Sequence, residues 1–82
     1  MMKSDRIHYE RRVDRFRVLV NGAPIGCVLI PPGTRRWEAI PQGGEPLTRR
    51  DGGMRVTRTF GSRDEAGEAL NEARLNGERS VR

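Results

Sequence analysis

Residues 54–76, MRVTRTFGSRDEAGEALNEARLN, constrain this chain more than any other stretch, because three independent local signals agree there. Met54, Val56, Arg58 and Phe60 fall on one face of an extended run, and Arg55, Thr57 and Thr59 on the other, since side chains alternate along a strand. The β-branched and aromatic residues favour that strand. Ser62 and Glu65 then form an S-x-x-E capping box. The Ser62 hydroxyl would accept from the Glu65 backbone N–H, and the Glu65 carboxylate would reach back to the Ser62 N–H. Asp64 and Glu65 occupy the first turn, where the helix dipole favours negative charge. Ala66, Ala69, Leu70 and Ala73 follow at helical spacing, an apolar stripe of small residues that lets the helix lie close to a sheet. Gly67 interrupts the helix at a cost of about 1 kcal/mol relative to Ala. Gly77 is the expected stop, and residues 79–82 read as a frayed tail.

Upstream, residues 1–12 are polar, with Ile7 and Tyr9 as their apolar anchors. They read as a flexible basic arm, and the lone His8 on it as a solvated side chain. A single sheet-plus-helix domain is expected over 13–78. VDRFRVLV at 13–20 alternates as a half-buried strand: Phe16, Val18 and Val20 share one face, Val13, Arg15, Arg17 and Leu19 the other. Asn21-Gly22 is a hairpin signal, because a type I′ turn needs positive φ at both central residues. Ala23-Pro24 follows and points to a turn longer than two residues. IGCVLI at 25–30 is a second strand with apolar side chains on both faces, and Cys27 within it reads as a small buried hydrophobe. Residues 35–40 read as a third strand carrying Trp37, a core anchor whose rival role is base stacking or a partner contact. Residues 41–53, rich in Gly and Pro, read as a long mobile loop, and residues 54–60 as the fourth strand. The expected fold class is therefore α+β, a three- or four-stranded antiparallel sheet packed on one C-terminal helix.

The chain has 82 residues and a formal charge of +5. So short a chain makes one domain at most, buries a modest fraction of its surface, and makes a dimer a reasonable expectation. Charge is unevenly placed: residues 1–61 carry +6 and residues 62–78 carry −3. A basic body with an acidic helix suits a polyanion on the side away from the helix, nucleic acid being the commonest. All but one of the 16 basic residues are arginine. Arginine is the better bidentate phosphate ligand, although the codon bias of a GC-rich genome gives the same excess. A single cysteine permits no internal disulfide. No apolar run approaches the roughly 20 residues that span a bilayer, and no apolar core follows Lys3 and Arg6 to make a signal peptide. A cytoplasmic protein without membrane attachment is the expectation.

Catalysis needs convergent groups, and here no second histidine, no metal-ligand spacing and no serine beside a base is found. No enzyme activity, metal or cofactor is expected, and no G-x-G-x-x-G or P-loop supports nucleotide binding.

The order of elements, with N-G…I-G between the first two strands, Trp37 in the third, and Phe60, Ser62, Glu65, Ala66 and Leu70 leading into the helix, resembles the arm-type DNA-binding domain of tyrosine recombinases. More distantly it resembles the AP2-like domains of plants. The resemblance spans residues 13–75. It implies a three-stranded sheet, backed by one helix, that lies in the major groove of double-stranded DNA. By position it implies contacts from Arg15 and Arg17 on the first strand, Arg35 and Arg36 on the third, and Arg55 with Thr57 on the fourth. The expected function is a small basic DNA-binding accessory or regulatory protein. The alternative is a protein-interaction or homodimerisation module using an apolar sheet face, either Val28, Ile30 and Leu19 or Ile25, Cys27 and Leu29. Strand register decides which side chains the open face carries.

Overall fold

A computed structural model describes residues 6–80. Its elements run β1 (Ile7–Arg11), β2 (Phe16–Val20), β3 (Ala23–Leu29), β4 (Glu38–Pro41), β5 (Thr48–Asp51), β6 (Met54–Thr57) and α1 (Arg63–Ser80). The first four strands form an antiparallel sheet in the order β1-β2-β3-β4, and β5 with β6 forms a separate two-stranded ribbon. The α+β class is as expected, with one sheet of four strands and a ribbon beside it.

Residues 7–11 are not a flexible arm. Ile7 and Tyr9 alternate inwards and β1 pairs along its whole length with β2, Tyr9 opposite Val18. The expected arm from 1 to 5 lies outside the described residues. Asn21 and Gly22 have φ of 52° and 88°, so the β2–β3 turn is the two-residue hairpin, not a longer one. Pro24 is tolerated because the ladder slips there: Val18 faces Gly26 while Leu19 faces Pro24, leaving Ile25 as the extra residue of a bulge. Gly26 is required at this point. Its φ is +152°, and a Cβ there would run into the Ile40 carbonyl and stand 3.0 Å from Pro41 Cα.

The expected mobile loop at 41–53 contains β5. Gly52 and Gly53, with φ of 61° and 88°, make a tight turn that pairs Asp51 with Met54 and Arg50 with Arg55. The strand expected over 54–60 splits into β6 and a single bridge, in which Trp37 and Phe60 exchange backbone hydrogen bonds of 2.9 Å each. Leu47 N–H donates to the Ala39 carbonyl at 2.8 Å. The two ends of the ribbon thus occupy the edge of β4 that faces away from β3.

The core lies between the sheet and α1. Val18, Val28 and Ala39 of the sheet meet Phe60 and the helix stripe Ala66, Ala69 and Leu70, all buried. Glu65 N–H donates to Ser62 Oγ at 3.1 Å, as the capping box requires. The return contact differs: Glu65 Oε1 accepts from Gly61 N–H at 3.0 Å, one residue before the cap. Gly77 does not end the helix, which continues to Ser80 with no positive φ at 77. Arg79 and Ser80, expected in the tail, are therefore within the helix, and the rest of that tail, 81–82, lies outside the described residues. No helix among the described residues is long and apolar enough to cross a membrane.

Candidate nucleic-acid interface

Burial of Val18 and Val28 against α1 fixes the register of the open face. Alternation then turns Arg17 and Leu19 of β2, Cys27 and Leu29 of β3, and Ile40 of β4 to the side away from the helix. All five are half-buried. Neither apolar set read from the sequence survives whole: Val28 is in the core, and the bulge lets Ile25 pack against it. The open face is an aliphatic strip with arginines along it.

Arg12, Arg15 and Arg17 line a shallow depression beside Cys27 and Ile40, Arg15 from the bend before β2 and not from the strand expected to carry it. Each has a nearby polar partner. Arg12 and Arg17 reach Glu10 at 3.1 and 3.7 Å. Arg15 grips Asp14 at 3.0 Å and lies 3.7 Å from Cys27 Sγ. The hydrogen bond and charge of Arg15 hold the Asp14 carboxyl below the usual carboxylate range, and Asp14 in turn holds Arg15 above its ordinary value. These pairs are solvent-exposed, so they stabilise little and can yield to another anion.

The other expected contacts lie elsewhere. Arg35 and Arg36 are not on a strand but in the bend before Trp37, since β4 begins at Glu38. Arg36 is a brace: its Nε donates to Thr59 Oγ1 at 3.0 Å and its Nη2 to the Thr59 carbonyl at 3.3 Å. Arg55 and Thr57 belong to the ribbon, not to the main sheet. The six expected residues therefore occupy three places: the open face, the bend and the ribbon.

The ribbon holds what the sequence reading missed. Arg50 stands directly opposite Arg55 and Thr48 opposite Thr57, so all four share one face, and all four are exposed. Cross-strand neighbours of like charge repel. Arg49, on the other face, has Asp51 at 3.7 Å. Among the described residues no carboxylate lies within ion-pair distance of Arg50 or Arg55. Reading Gly52-Gly53 as a hairpin turn would have placed Arg50 against Arg55 by counting outward from it.

The flank of α1 is of opposite sign, with Asp64, Glu65, Glu68 and Glu72 exposed. Arg58 turns towards it, its guanidinium 5.0 Å from the Phe60 ring centre. At the start of α1, Arg63 stacks 4.2 Å over Tyr9 and 5.2 Å from Phe16, and Phe16 meets Trp37 at 6.0 Å. Trp37 packs against the core. Burial, and then the charge of Asp64, raise the Tyr9 hydroxyl above the ordinary tyrosine value, while Arg63 opposes the shift. Among the described residues no group of three or more His, Cys, Asp or Glu side chains could hold a metal ion. Comparison of the chain with protein-family models, curated proteins and solved structures gives no match.

Proposed function

We propose that this protein binds double-stranded DNA as a small accessory or regulatory factor, gripping phosphates with arginines of the β5–β6 ribbon and of the open sheet face. The observation that carries the reading is the Arg50–Arg55 pair, two like charges held side by side with no carboxylate of the described residues within ion-pair distance. Such a pair costs the fold stability by itself, and a phosphate between the two guanidiniums removes that cost. A two-stranded ribbon has the width to enter a major groove, and Thr48 and Thr57 on the same face supply hydroxyl donors beside the arginines. Arg15 and Arg17 add contacts by exchanging their exposed carboxylate partners for phosphate. The acidic side of α1 is repelled by the duplex and orients the domain. The outline shared with arm-type domains, a sheet backed by one helix, supports the same reading.

The test is fluorescence anisotropy of a labelled random duplex across a salt series. Binding should weaken steeply as salt rises. Arg50→Ala with Arg55→Ala should reduce the slope of log affinity against log salt by about two, and Arg15→Ala with Arg17→Ala should lower it further. No binding at low salt, or a slope untouched by the ribbon variant, would overturn the proposal.

A further inference from the structure

The two edges of the four-stranded sheet are unlike. The β4 edge is closed by the backbone at Leu47 and Phe60, whereas among the described residues β1 has a neighbour, β2, on one side only. Asn21 N–H donates to the Arg6 carbonyl at 2.9 Å, and Arg12 N–H to the Arg15 carbonyl at 2.8 Å. These bonds fix the phase of the strand. Arg6, His8, Glu10 and Arg12 turn their backbone groups towards β2, so Ile7, Tyr9 and Arg11 turn theirs outward. A row of outward N–H and C=O groups is a template for another strand. Within β1 no proline, glycine or bulge blunts it, and α1 packs chiefly on β3 and β4, meeting β1 at Tyr9.

We propose that a second copy of this chain pairs here, β1 against β1, antiparallel about a two-fold axis at Tyr9, so that one sheet runs through the dimer. The register follows from the side chains. Centring on Tyr9 places Tyr9 opposite Tyr9, and Ile7 opposite Arg11 of the second copy, so every outward residue exchanges backbone hydrogen bonds. The same register sets His8 opposite Glu10 of the second copy, twice. These are the closely spaced pairs between hydrogen-bonded positions, where an imidazole N–H meets a carboxylate. The strand is thus complementary to itself, as an isologous interface requires. A two-fold axis normal to the sheet puts both helices on one side and Arg15 and Arg17 of both copies on the other.

Sedimentation equilibrium of the full chain, without nucleic acid, tests this independently of the DNA reading. The protein is expected to dimerise. Arg11→Pro removes one outward N–H and leaves the β2 ladder intact, and should give a monomer with an unchanged far-UV spectrum. Glu10→Lys should weaken the dimer about tenfold by opposing two cations to the two histidines. It also removes the Arg12 and Arg17 pairs within the chain, so the interface is isolated by a swap: His8→Glu with Glu10→Lys should restore the dimer. A wild-type chain that stays monomeric at high concentration would overturn the proposal, as would a dimer undiminished in both single variants.

Discussion

The Tyr9 hydroxyl and ring rest on the backbone of Gly67, so closely that a Cβ at position 67 would stand 2.8 Å from both Cε1 and Cζ of the ring. This contact joins the first strand to the only helix among the described residues. It gives the helix glycine a purpose: the missing side chain makes room for the tyrosine.

Gly67→Ala should therefore destabilise the protein by about 1–3 kcal/mol through overpacking, despite the better helix propensity of alanine. In a Tyr9→Ala background the clash is gone, and the same substitution should stabilise by about 1 kcal/mol. Urea denaturation of the four chains measures both signs. Additive effects would show that Tyr9 and Gly67 do not share this space.

Tyr9 is the only tyrosine of the chain, so its ionisation can be followed directly by tyrosinate absorbance. Burial and Asp64 favour its neutral form in the folded state, which places the folded value above the ordinary 10.0. The folded protein then holds a proton that the unfolded chain releases. Its contribution to stability is complete below pH 10 and declines as pH rises through the folded value. Tyr9→Phe should flatten that alkaline decline. Asp64→Asn should lower the tyrosinate midpoint yet leave it above that of the unfolded chain, because burial is the larger cause. A midpoint equal to the unfolded one would contradict the buried placement of the hydroxyl.

Gly26 sits at positive φ with the Ile40 carbonyl where a side chain would begin. Gly26→Ala should cost about 1–3 kcal/mol from backbone conformation alone, with further loss as β4 is pushed away. A substitution at the unobstructed Gly77 should stabilise the helix instead, by about 1 kcal/mol for Gly77→Ala. Thermal unfolding separates the two, and equal effects would place Gly26 in an ordinary strand.

The Arg50–Arg55 pair sets stability against binding. Removing one charge, as in Arg55→Thr, should raise stability by about 0.2–1 kcal/mol while weakening affinity for duplex DNA. Added salt should narrow the stability difference by screening the repulsion. A less stable Arg55→Thr protein would mean that the two guanidiniums do not repel.

The cap and the body of the helix were legible because each depends on near neighbours: Ser62 and Glu65 are three apart, and the stripe Ala66, Ala69 and Leu70 is buried as its period demands, whereas the break in the strand after Thr57 and the helix running past Gly77 were not. β1 was hidden because its two anchors, Ile7 and Tyr9, are sorted only by partners on β2 and by Gly67, which are distant in sequence. β5 was hidden because all its residues are exposed, leaving no burial pattern to read, although Gly52-Gly53 marked its turn. The open face could not be composed in advance. The bulge at Ile25 changes which side chains of β3 point outward, and nothing in the hydropathy of that strand announces it.

The ribbon is closed at its base by Arg58 N–H to the Leu47 carbonyl at 2.9 Å, and fastened to the body by Leu47 N–H to the Ala39 carbonyl and by the Trp37–Phe60 exchange. The chain from Thr48 to Thr57 is thereby an excursion that leaves the body and returns to nearly the same point. Its length and lettering can drift without disturbing the layer beneath. Such a construction separates inheritance of the scaffold from invention at its tip, and a lineage could exchange one tip for another while keeping everything below Leu47 and Arg58.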